Sequence, residues 1–148
     1  MSRLRRILHP TDFSRASNAA LARAVAMAKA DRAELLLVHV MALPVPMAGE
    51  GYISPSVYED LEASARKHAE KRLATLRDKA RASGVKVSVV LLEGVAHEQI
   101  VRAAKSKKAD LIVIGTHGRT GFAKLFLGSV ASRVVTAAHC PVLTVRGK

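Results

Sequence analysis

The stretch from Leu111 to Ser129, LIVIGTHGRTGFAKLFLGS, holds the residues best suited to chemistry. Leu111 to Ile114 read as a buried strand that Gly115 ends. Gly118 and Gly121 follow in a loop, and Gly128 and Ser129 stand where a new helix should begin. Glycine lets backbone amides approach an anion, and the first N–H groups of a helix have no acceptor within it. A strand running through glycines into a helix start can therefore seat phosphate. Ser129 adds a hydroxyl donor, and Arg119 can neutralise charge. The plainer reading of the same glycines is a loop that only turns the chain. Neither standard phosphate motif is met. No glycine is followed five residues on by Gly-Lys, and Thr116-His117-Gly118-Arg119-Thr120-Gly121 lacks the first glycine of G-x-G-x-x-G and follows a late strand. What stands is Gly115-x2-Gly118-x9-Gly128-Ser129.

The scaffold that must hold this loop is bounded by composition. At 148 residues the chain, 1–148, suits one domain with a substantial core. It is 49% hydrophobic but only 3% aromatic, so that core is aliphatic and suits helices packed on a Val/Ile-rich sheet. The formal charge of +12 is spread along the chain, in Arg3, Arg5 and Arg6, in Arg66 to Arg81, and in Lys105, Lys107 and Lys108. With no Trp to stack on bases, most of these charges read as solvated helix faces rather than a nucleic-acid site. Cys140 is the only cysteine, which excludes an intramolecular disulfide and fits a reducing compartment. No apolar run is long enough to span a bilayer, so a soluble, cytoplasmic protein is expected.

Along the chain, strands and helices alternate. Leu4 to Leu8 is a first strand stopped by Pro10; Ser14 then caps a helix from Ala16 to Ala30. Glu34 to Val40 is a continuous apolar run, hence a central strand covered on both faces. Met41 to Ser56 is rich in Pro and Gly and reads as an exposed, mobile loop. Val57 to Ser83 is the longest helix, with Leu61, Ala65, Ala69, Leu73, Leu76 and Ala80 as its inward stripe and Glu62–Arg66 and Arg66–Glu70 as i,i+4 pairs. Gly84 ends it, Val85 to Leu92 is a third strand at an edge, and Gly94 to Lys108 a third helix. Leu111 to Ile114, a helix from Val130 to Ala138, and Pro141 to Val145 as an edge strand complete the chain. Five strands and four helices in this order predict an α/β fold, a single doubly wound parallel sheet of Rossmann-like type with helices on both faces. Ligands of such sheets lie beyond the carboxyl ends of the strands. That rule puts Thr11 and Asp12, Val40 and the glycine loop on one rim, provided the first and fourth strands are neighbours.

The glycine pattern resembles the G-x2-G-x9-G-[ST] nucleotide-binding signature of the universal stress protein family. Arg6 to Ser14, RILHPTDFS, is similar to that family's opening strand and loop, and Leu37 to Val40, LVHV, to its second strand. Gly94 and Ile100 match part of its G-x-P-x-x-x-I segment, with Ala96 in place of proline, a change expected to loosen the start of the third helix. Cys140 to Val145, CPVLTV, resembles its closing strand. The resemblance implies the ATP-binding branch and the adenine nucleotide alpha hydrolase-like fold. It implies that Asp12 and Val40 meet adenine through backbone groups, with Pro10 and Thr11 shaping that wall. Gly115 would lie near the ribose, and Gly118, Arg119, Gly128, Ser129 and Val130 around the phosphates, with Mg or Mn bound through them. It also implies a homodimer through Pro141 to Val145. Asp12 has a second reading, as a helix-start residue favoured by the dipole.

The remaining chemistry is sparse. His39 reads as a buried, hydrogen-bonded core histidine, His117 as a residue that touches nucleotide or shapes the loop, and His139-Cys140 has no partner for metal or redox work. Asp12 is the only acid placed near the site, at the adenine end, so ATP binding without efficient catalysis is expected. Bound nucleotide would order the loop from Thr116 to Leu127 and alter a surface read by partners in a stress response. A slow ATPase and a basic nucleic-acid-associated module are the alternatives.

Overall fold

A computed structural model describes residues 3–42, 54–116 and 127–147. The elements follow in the order β1 (Arg6–Pro10), α1 (Arg15–Asp31), β2 (Glu34–Met41), α2 (Pro55–Ala82), β3 (Lys86–Glu93), α3 (Ala96–Ser106), β4 (Leu111–Gly115), α4 (Ser129–Ala137) and β5 (Val142–Val145). The strands form one sheet in the order β3-β2-β1-β4-β5, and each of the four pairings is parallel. Apolar side chains alternate between the two faces of the sheet and make two aliphatic cores. Ile7, Leu35, Leu37 and Val113 meet α1 and α2, while Leu8, Leu36, Val38 and Ile112 meet α3 and α4. The middle strand is β1 rather than β2, which lies one place out, and β3 is an edge as expected.

Several boundaries differ from the sequence expectation. β1 runs through Pro10 instead of stopping before it. Thr11 N–H donates to the Val38 carbonyl at 2.8 Å, so the donor that Pro10 lacks falls on the β4 side, where pairing with β1 ends at Leu8. α3 begins at Ala96 rather than Gly94 because Gly94 takes φ 129°, outside the helical region. Ser14 caps α1 as expected, accepting from Ser17 N–H at 3.2 Å. Only the second half of the α2 stripe is buried, at Ala69, Leu73 and Ala80; Val57 and Leu61 remain about half exposed. Arg66 pairs with Glu93 at the end of β3 and not along its own helix. Most of the expected loop from Met41 to Ser56 lies outside the described residues. Of its ends, Met41 belongs to β2, and Ser54 caps α2 by accepting from Val57 N–H.

Candidate functional site

β1 and β4 are neighbours, so the loop after β1, the end of β2 and the start of α4 meet at one rim. They enclose a cleft of about 320 Å³, within the range of about 300–1,000 Å³ usual for small-molecule sites. Eight of the ten residues singled out in the sequence line it: Pro10, Thr11, Asp12, Val40, Gly115, Gly128, Ser129 and Val130. The other two, Gly118 and Arg119, lie outside the described residues, as does His117.

The wall after β1 is held by hydrogen bonds within itself. Thr11 Oγ1 accepts from Ser17 Oγ–H at 2.9 Å and from Phe13 N–H at 3.0 Å, and Asp12 Oδ1 accepts from Ser14 N–H at 2.9 Å. These bonds draw the backbone into a turn tight enough that Phe13 takes φ 65°. Asp12 thus braces the turn ahead of α1 with its side chain and also lines the cleft. His39 donates through Nδ1 to the Thr11 carbonyl at 2.7 Å, tying β2 to this loop. It is hydrogen-bonded as expected but only half-buried, and it lines the cleft instead of sitting in the core. Phe13 packs on His39 with ring centres 4.5 Å apart, and the Arg72 guanidinium of α2 lies over the Phe13 ring at 4.3 Å.

The opposite wall comes from β4 and α4. Gly115 is close to the first turn of α1, where a Cβ would stand 3.0 Å from the Ala16 carbonyl oxygen. Its smallness thus serves helix packing as well as any ligand. Thr116 N–H donates to the Val145 carbonyl at 2.9 Å, and Gly128 N–H to the Thr116 carbonyl at 2.6 Å, so the two ends of the glycine loop are fastened to each other. Gly128 is the N-cap of α4, with no side chain capping the helix. The first intrahelical bond is from Ser132 N–H to the Gly128 carbonyl at 2.9 Å. Hence the N–H groups of Ser129, Val130 and Ala131 have no intrahelical acceptor, and all three residues line the cleft. Helix-start donors of this kind suit an anion, and Val40, Ala96, Ile100 and Ile114 supply apolar lining to the same cleft.

Sequence reasoning did not assign Ser17, Ala96, Ile100, Ile114, Thr116 and Ala131 to this lining. Thr116 and Ala131 adjoin residues it did assign, but Ser17 carried no signal beyond its place three residues after a cap. Cys140 is half-buried, and burial, with the nearby Asp110 charge, pushes its thiol up, the wrong direction for a nucleophile. Among the described residues no group of three or more His, Cys, Asp or Glu is placed to hold a metal ion, and no helix is long and apolar enough to cross a membrane.

Comparison with known proteins places this geometry among relatives. Residues 3–146 match the model of the universal stress protein family. The universal stress protein MJ0531 of Methanocaldococcus jannaschii is 38% identical over 144 residues, which is 96% of this chain and 82% of that protein. The universal stress protein UspA from Lactobacillus plantarum superposes with a TM-score of 0.83 at 27% identity, covering 99% of this chain and 100% of that one. A universal stress protein crystallised in complex with cAMP superposes with a TM-score of 0.69 at 26% identity, covering 99% and 100%.

Proposed function

From a chain that belongs to the universal stress protein family, we propose a nucleotide-dependent stress-response module whose ligand is an adenine nucleotide, ATP in the first instance. The observation that carries this reading is a cleft lined by Ser129, Val130 and Ala131, whose N–H groups have no acceptor within α4. The cAMP held by a structural relative supports the adenine class. In this reading Asp12 and Val40 meet adenine through their backbones, Pro10 and Thr11 wall it, and Gly115 lies by the ribose. Gly118, Arg119, Gly128, Ser129 and Val130 surround the phosphates. A magnesium or manganese ion would be held through those phosphates, since Asp12 is the only carboxylate among the described lining residues and its Oδ1 already accepts from Ser14. The same scarcity of acids favours binding without efficient turnover.

Purified protein, heat-denatured and chromatographed, should release adenine nucleotide, and calorimetry should detect ATP binding to the emptied protein. Gly128→Val places methyl groups at the phosphate end without asking a new conformation of a backbone at φ −60°, ψ 158°. It should weaken ATP by about 1.4 kcal/mol or more, at least tenfold. A protein that is empty as purified and indifferent to added ATP would defeat the proposal. Metal-dependent ADP release above background would move it to the slow ATPase.

A further inference from the structure

We infer that the end of the molecule opposite the cleft is a docking face for the phosphate backbone of double-stranded nucleic acid, read without regard to base sequence. The strands are all parallel and each helix returns against them, so the strand starts share that end with the ends of α1, α2 and α3. Arg3, Arg5 and Arg6 lead into the middle strand, while Lys105, Lys107 and Lys108 close α3 beside the start of β4, and all six are exposed. These two groups are far apart in the chain and adjacent in space: Arg6 Nη1 donates to the Lys107 carbonyl at 2.9 Å. Lys86 at the start of β3 and Arg32 after α1 extend the same face. The acids here are engaged by the fold. Asp31 accepts from Leu4 N–H at 2.8 Å, Asp110 Oδ2 accepts from both Arg5 and Arg6 N–H at 2.9 Å, and Glu34 lies 3.7 Å from Arg6 and 3.8 Å from Lys86.

Helix dipoles explain a cation in a last turn, such as Lys105, but not Arg3 and Arg5 ahead of a strand. A second observation is independent of charge. Arg32 and Lys108 both stand at φ 56°, in the left-handed region, at the turns that follow α1 and α3. Glycine is the unstrained choice there, and Gly84 takes it after α2 at φ 93°. Two turns thus keep a cation where glycine would relieve the backbone.

The surroundings select the partner. Among the described residues no Phe or Tyr falls at these strand starts and helix ends to offer the stacking platforms that hold single strands. Among the exposed large apolar side chains of the described residues only Val135, in the last turn of α4, lies toward this end, and one valine is not the apolar face with which a membrane-surface element inserts. The starts of β3, β2, β1 and β4 span about 14 Å at about 4.8 Å per strand, close to four base-pair steps of about 3.4 Å, so on the order of four phosphates would be neutralised.

Fluorescence anisotropy with a labelled DNA duplex of about twenty base pairs tests this on the full chain. The logarithm of the binding constant should fall against the logarithm of salt concentration with a slope of about −4. Arg5→Glu combined with Lys107→Glu should weaken binding at low salt at least about tenfold. Arg32→Gly combined with Lys108→Gly should also weaken it while leaving the melting temperature unchanged or raised, which separates binding from folding. A slope near zero, parent-like affinity in both double variants, or tighter binding to phosphatidylserine vesicles than to the duplex would overturn the inference.

Discussion

His9 illustrates how one residue can carry a property of the whole fold. It lies in the middle strand, fully buried, with Nδ1–H donating to the Val113 carbonyl at 2.9 Å and Nε2 without a partner among the described residues. Burial pushes its pKa from 6.5 down to about 4, against smaller opposing effects of the Val113 bond and the Asp12 charge. The unfolded chain therefore takes up a proton below about pH 6.5 that the folded chain refuses. Stability is complete above that pH and falls as pH drops towards 4, by about 3 kcal/mol from this residue. Urea midpoints at about pH 7.5 and 4.5 should drop more in the parent than in His9→Gln; parallel losses would exonerate His9. The sequence marked His9 only as part of a motif, because nothing in RILHP says that its ring is enclosed. Residue types revealed donors and acceptors; burial, which sets their charge, depends on neighbours distant in the chain.

At the scale of the element, the sequence pattern located every helix and strand among the described residues, yet it did not say where a helix outgrows its sheet. α2 has 28 residues and β3 has 8, so at about 1.5 and 3.3 Å per residue the helix is about 42 Å long against a strand of about 26 Å. The excess of about three turns has no sheet to cover, which is why Val57 and Leu61 stay exposed although they continue the apolar stripe. Leu73→Ala should cost about 2–5 kcal/mol in denaturant unfolding, whereas Leu61→Ala should stay within about 0.5 kcal/mol. Equal losses would mean that Leu61 is covered by something in solution. The i,i+4 reading of Arg66 fails for a related reason, since the end of β3 offers Glu93 as a partner that helical spacing could not reveal.

For the whole molecule, the strand order separates two ends, a cleft beyond the strand ends and a cationic face at their starts. It also leaves β5 with an open edge. Ile112 N–H donates to the Pro141 carbonyl and Thr116 N–H to the Val145 carbonyl, so Val142 and Thr144 turn their backbone groups outward. We expect this edge to pair with a second copy, giving a homodimer in sedimentation, and Thr144→Pro, which deletes an outward donor alone, to give a folded monomer. A monomeric parent would refute that expectation. The sequence by itself determined the alternation of strand and helix, the aliphatic core, the glycine pattern and the family, because apolar period, turn residues and spacing are local quantities. Only the tertiary structure decided that β1 is central and beside β4, that His39 faces the cleft, and that Arg5 and Lys107 share a face. Those facts depend on which strands pair, and the free energy of pairing is set by side chains that meet across a hundred residues of chain.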